Sequence, residues 1–214
     1  LEFRRVLFRS PSIYRYLPLP TLDSLTAVLT FLEVFRRDPT RLLFGIFDQS
    51  LLPGSSPTAP SRLAGIIGVL KTDTSARSTE IGPVIVFPDF QRSHVMTHAA
   101  ALVLRWTLDD LRLRRVQWFA HEGNAASVKG GERLGLKVEG RLRWERVLLL
   151  GKDGVALPEW AAEDEAAAGR GPGRHSVLLA IGWDEWRTEG KDKIAKLVER
   201  EVKQRTLVRS TPVV

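Results

Sequence analysis

Glu80-Ile81-Gly82-Pro83-Val84-Ile85-Val86-Phe87 opens the stretch that decides the fold, and Pro88-Asp89-Phe90-Gln91-Arg92-Ser93-His94-Val95-Met96-Thr97 continues it. The first run is apolar, rich in β-branched residues, and stopped by a proline, which reads as a strand. Ser93 to Leu111 is dense in Ala and Leu and reads as a long helix. Gln91 to Thr97 therefore sits where a strand hands over to a helix. Backbone N–H groups at a helix start have no intrahelical acceptor and favour an anionic group such as phosphate. Glycine usually supplies the close backbone approach that a diphosphate needs. This loop has none, so by itself it reads first as an ordinary helix start and only second as an anion site.

Downstream, Val116 to Ala120 reads as a strand and Ala125 to Leu134 as a short helix, with Asn124 as N-cap and Gly135 as stop signal. Gly130 and Gly131 each cost about 1 kcal/mol relative to Ala inside a helix, so a packing or access reason is expected for them. Val138 to Leu150 can form one long strand. Leu157 to Arg174 reads as a mobile loop, Ser176 to Ile181 as a strand, and Asp184 to Arg205 as an amphipathic basic helix with Ile194, Leu197, Val198 and Val202 on one face. Upstream, Thr21 caps a helix to Arg37 with a stripe of Leu25, Val28, Leu29, Leu32 and Phe35. Strands follow at Leu42 to Phe47, Leu63 to Thr72 and Thr79 to Phe87, with a Pro/Ser-rich loop at Pro53 to Pro60. Strands and helices mix, which gives an α/β or α+β class with a sheet of about five to seven strands.

The 214 residues suit one domain, here residues 11–206, with 207–214 as a tail. The apolar fraction of 43% is that of a globular protein, and the absence of cysteine excludes disulfides, thiolate-bound zinc and a thiol nucleophile. No run is apolar for the ~20 residues a membrane helix needs, and a cytoplasmic location is expected. The net charge of +7 lies at the ends: four arginines against one glutamate in residues 1–15, and eight basic against four acidic residues in 187–209. A nucleic-acid reader carries its basic stripe on the folded body, so no nucleic-acid partner is expected. Leu1 to Ser10 is too short and basic for a signal peptide and resembles a translated sequencing adapter.

The ordered run from Glu80 to Arg146 resembles the GNAT acetyltransferase superfamily, and within it the ribosomal-protein-alanine N-acetyltransferase branch. The residues that carry the likeness are Glu80-Ile81-Gly82, Phe90 to Ala99, Arg115-Val116-Gln117-Trp118, Asn124 with Ser127, Glu132-Arg133-Leu134-Gly135-Leu136, and Glu139-Gly140-Arg141-Leu142-Arg143. Ser176 to Trp186 is a weaker echo of the family's last strand. The resemblance implies a mixed, mostly antiparallel sheet with splayed central strands and flanking helices, here lacking the first strand and helix. It implies that acetyl-CoA lies where the strands ending near Phe87 and Ala120 part. Amides of Gln91, Arg92, Ser93, His94, Val95, Met96 and Thr97 would hold the pyrophosphate, and Val84, Ile85, Val86 and Asn124 would meet the pantetheine arm. A substrate amine would attack the thioester directly. Ser127 matches a serine proposed in that branch to protonate the leaving thiolate, while Gly131 stands where many relatives carry a tyrosine donor.

The resemblance assigns Glu80 as the candidate base, with His94, His98 and Glu145 as weaker ones. It implies no metal, an amine acceptor on a small molecule or a protein N-terminus, and a monomer or homodimer. A degenerate module that binds CoA or a protein without turnover is the alternative. His94 in place of the usual pyrophosphate-loop glycine and the absent tyrosine favour that alternative.

Overall fold

The computed structural model describes residues 11–49 and 61–199. The adapter-like segment at 1–10, the Pro53 to Pro60 loop, the end of the basic helix with Val202, and the tail lie outside the described residues.

Six strands form one sheet: β1 (Leu42–Asp48), β2 (Arg62–Asp73), β3 (Ser78–Val86), β4 (Arg115–His121), β5 (Lys137–Leu149) and β6 (Arg170–Gly182), in the order β1-β2-β3-β4-β6-β5. Every neighbouring pair is antiparallel except β3 and β4, which are parallel. The helices are α1 (Leu25–Arg37), α2 (Val95–Arg105), α3 (Ala125–Arg133), α4 (Glu159–Ala167) and α5 (Lys191–Val198). This is the mixed, mostly antiparallel architecture the sequence led us to expect.

Adjacent strand residues project to opposite faces. Ile67 on β2 joins a core shared with α2 and α5, whereas Ile66 joins a second core under α1. The sheet thus separates an α2 face from an α1 face. On β3 the alternation is interrupted. Ile67 faces Val84 and Val69 faces Ile81, so two steps on β2 span three on β3. The extra residue is a bulge at Gly82-Pro83, and it sends Ile81 to the α2 face but Ile85 to the α1 face.

Several local expectations are corrected. α1 begins at Leu25, where Ser24 accepts from the Ala27 N–H; Thr21 is too early because the extended segment before Ser24 buries Leu22 completely. Val28, Phe31 and Phe35 form the buried stripe of α1, and Leu25, Leu29 and Leu32 are exposed, because the bulky aromatic rings take the inward positions. The long helix is α-helical only to Arg105 and continues as a π-turn, Trp106–Asp110, where the Thr107 hydroxyl donates to the carbonyls of Val103 and Leu104. Leu157 to Arg174 is not a loop: it holds α4 and the start of β6, whose edge pairs with β5. The stretch from Asp184 also breaks, with a helical turn at Trp183–Glu185 and a π-turn at Trp186–Gly190 before α5. Buried Trp186 locks this region by donating from Nε1 to Asp109 Oδ1 at 2.9 Å.

The two glycines of α3 have packing reasons. A Cβ on Gly130 would lie 3.0 Å from Met96 Cε of α2, and one on Gly131 would lie 3.2 Å from Leu179 Cδ2. Gly135 ends α3 with φ +98, a backbone that L side chains rarely adopt.

Candidate functional site

β3 and β4 pair over only three residues, Ser78, Thr79 and Glu80 against Arg115, Val116 and Gln117. Beyond Glu80 the bulge turns β3 away, and the two strands part. Hydrogen bonding on β4 alternates: Arg114 and Glu122 bond towards β6, so odd-numbered residues between them present N–H and C=O towards β3. Phe119 therefore turns its peptide groups into the opening. On β3 the Phe87 N–H bonds to Ala64, which places the backbone of Ile85 towards β2 and that of Val84 and Val86 towards the opening. Of the three residues expected along a pantetheine arm, Ile85 is thus turned away. The Val86 carbonyl accepts from Gln91 Nε2 at 3.1 Å.

The loop that follows ends at the start of α2, beside this opening. Arg92 has φ +57, the left-handed conformation that glycine would supply more cheaply. Among the described residues, the N–H groups of Ser93, His94, Met96 and Thr97 have no backbone acceptor, and the Val95 N–H bonds to Ser93 Oγ at 3.3 Å. The loop thus turns without a glycine and leaves a cluster of donors at a helix N-terminus, a fit for a pyrophosphate. His94 and His98 contact each other, their ring centroids 4.9 Å apart, and His94 Nε2 lies 3.5 Å from Asp48 Oδ1. Burial, then His94, pushes the pKa of His98 down.

Asn124 caps α3, its Oδ1 accepting from the Ser127 N–H at 3.1 Å. Ser127 stands in the first turn of α3 on the α2 face, where its Oγ accepts from Trp118 Nε1 at 2.9 Å. An indole N–H can only donate. The indole therefore does not engage the hydroxyl proton of Ser127.

A second group of polar side chains gathers on the α1 face. Ile81, Trp118, Ala120, Val177 and Leu179 belong to the α2-face core, so Glu80, Phe119, His121, Ser176 and Arg174 project the other way. Glu80 is buried, with Oε2 3.1 Å from Lys71 Nζ and Oε1 3.4 Å from an Arg146 nitrogen. Arg146 also meets Glu145 at 2.9 Å, and Ser176 Oγ donates to Glu145 at 3.0 Å. Glu145, a minor candidate from sequence, thus belongs to the network around Glu80. Lys71, Arg146, Arg174, His121 and Trp118 were not anticipated. They come from four strands, with Trp118 and His121 both on β4, and carry no local motif.

A model of the acetyltransferase (GNAT) domain matches residues 2–137. The chain belongs to this family, whose members use acetyl-CoA. Among solved structures it is similar to a GCN5-related N-acetyltransferase from Brucella melitensis, with 20% identity and a TM-score of 0.68 over 90% of this chain and 76% of that one. It is also similar to a spermidine N-acetyltransferase from Vibrio cholerae in complex with CoA and spermine, with 15% identity and a TM-score of 0.62 over 87% of this chain and 91% of that one. At these identities the likeness is one of fold. No curated protein matches. These findings reach the family and not the ribosomal-protein-alanine branch.

Proposed function

We propose that this protein transfers an acetyl group from acetyl-CoA to a primary amine by direct attack in a ternary complex. The observation that carries the reading is the parting of β3 and β4 after Glu80 and Gln117, with the donor-rich start of α2 beside it.

In this reading the amides from Arg92 to Thr97 hold the pyrophosphate, and the outward backbone of Val84 and Val86 meets the pantetheine arm. Ser127 and Glu80 lie on opposite faces of the sheet at the opening. That placement suits a direct reaction: the amine arrives from the α1 face and the thiolate departs on the α2 face. The amine lone pair forms the new C–N bond, and a backbone N–H at the opening stabilises the oxyanion. The C–S bond then breaks. Glu80, through a water, takes the amine proton, and Ser127 returns one to sulfur. The resemblance of Arg115 to Arg143 to the ribosomal-protein-alanine branch supports an N-terminal or similarly unhindered amine.

Isothermal titration with CoA and a free-thiol assay on a panel of amines test the reading. Binding with thiol release above the hydrolytic background is expected. CoA binding without release on any amine would favour the non-catalytic module, and absence of CoA binding would defeat both.

A further inference from the structure

On the α1 face one cation is left over. Glu80 is engaged by Lys71 and Arg146, and Glu145 by Arg146 and Ser176. Arg174 is 4% exposed, yet among the described residues it forms no ion pair; its one hydrogen bond, at 3.4 Å, goes to the Phe119 carbonyl, and its Nε has no partner. Phe119 turns that carbonyl towards β3, so the guanidinium lies at the parted strands. His121 is 8% exposed on the same face. Its Nδ1 accepts from the Gly123 N–H at 2.9 Å, which leaves the proton on Nε2, and Nε2 makes no hydrogen bond of good geometry with the nearby Asp153 carbonyl.

A buried guanidinium with an open donor is costly unless an anion meets it. Lys71 is more than half exposed and shares its charge with solvent, whereas the Arg174 guanidinium is buried with an open Nε donor. A carboxylate on a bound molecule would meet that donor. Burial, then Arg146, lowers the pKa of Arg174, and Glu145 and Glu80 offset this only in part. A polycation such as the spermine held by the Vibrio cholerae relative would instead meet like charges here.

We propose that the acceptor is a primary amine that also carries a carboxylate, and that Arg174, with His121 beside it, binds the carboxylate while Glu80 faces the amine. Arg174 is thus a specificity-determining residue. This rests on the acetyl-transfer reading above.

The test compares glycine, β-alanine and γ-aminobutyrate with their amides, and with spermidine, at saturating acetyl-CoA. The full chain should turn over at least one acid roughly 100-fold more efficiently than its amide, because a site built to pair a polar group rejects the analogue lacking it. Arg174→Gln should erase that preference, raising KM for the acid far more than KM for the amide. Equal use of acid and amide by the unaltered protein, or preference for spermidine, overturns the acceptor assignment while leaving acetyl transfer intact. The same holds if a folded Arg174→Gln loses both activities equally. A protein that binds CoA and acetylates none of these probes overturns the acceptor assignment, and the wider amine panel decides acetyl transfer separately. Should Arg174→Gln not fold, the acid-to-amide ratio of the unaltered protein still decides.

Discussion

Trp118 Nε1 donates to Ser127 Oγ at 2.9 Å, tying the middle of β4 to the first turn of α3. The bond occupies a lone pair of the hydroxyl and leaves its proton to be given away. Ser127→Ala should lower kcat by roughly 100-fold, the scale of a lost general acid, with CoA affinity changed by less than about twofold. It also leaves the buried indole N–H unpaired, at a cost of about 1 to 3 kcal/mol in unfolding free energy. Trp118→Phe should lower kcat by a smaller factor. Stopped-assay kinetics and calorimetric CoA titration separate the two effects; unchanged kcat in Ser127→Ala would remove Ser127 from the mechanism.

Arg92 occupies the left-handed region at φ +57. Arg92→Gly should keep CoA binding and relieve a backbone cost of about 1 kcal/mol, partly offset by the greater freedom of glycine when unfolded. Arg92→Pro demands φ near about −65° and should weaken CoA binding at least about tenfold by undoing the turn. Proline tolerated without loss of affinity would mean that the pyrophosphate lies elsewhere.

Glu80 is buried between Lys71 and Arg146. Glu80→Gln retains the shape but not the charge. We expect kcat to fall by roughly 100-fold with CoA affinity little changed. A purely structural role would lower the melting temperature and leave kcat of the folded protein within about twofold.

His98 supplies a pH dependence of stability. Burial and His94 hold its folded pKa below the ordinary 6.5. Between the two values the unfolded chain binds more protons, so stability rises with pH there. The contribution is complete above the unfolded value and is lost as pH falls through the folded one. His121, lowered by burial and then by Arg174, acts in the same sense. The melting temperature should drop as pH falls through 6.5 and on through the lower folded value, and His98→Asn should reduce the slope. A slope unaffected by that substitution would exclude His98 as a source.

Asn124→Ala removes the cap on α3 and should cost about 1 kcal/mol by denaturant unfolding. If Asn124 also meets the pantetheine arm, Asn124→Ser, which still caps, should restore stability but not CoA affinity. Recovery of both would assign Asn124 to the helix alone.

The sheet and most of its helices were legible because their signals are local. The apolar run before Pro88, the Ala/Leu-rich helix, Asn124 and Gly135 as cap and stop, and the echo ending at Trp186 each reside within a few residues. The start of α1 and the π-turn after Arg105 were not legible. Both depend on which apolar groups the neighbouring elements bury: Leu22 in one case, and in the other the packing around Thr107 and Trp186. α4 was missed because its Ala- and Glu-rich sequence has no apolar stripe, and none of its residues is buried.

The sequence alone determined an α/β chain with a donor-rich helix start after a strand, and the ordered run from Glu80 to Arg146 that marks its family. It left the loop between anion site and ordinary helix start, because no glycine announced the left-handed turn that Arg92 makes. Only the tertiary structure decided what surrounds that loop. The bulge at Gly82-Pro83 parts β3 from β4, and strand alternation then sets Ser127 and Glu80 on opposite faces. The same alternation brings Lys71, Arg146 and Arg174 from three other strands to Glu80. These groups are far apart in sequence, and their meeting depends on strand order and register, which no local pattern encodes.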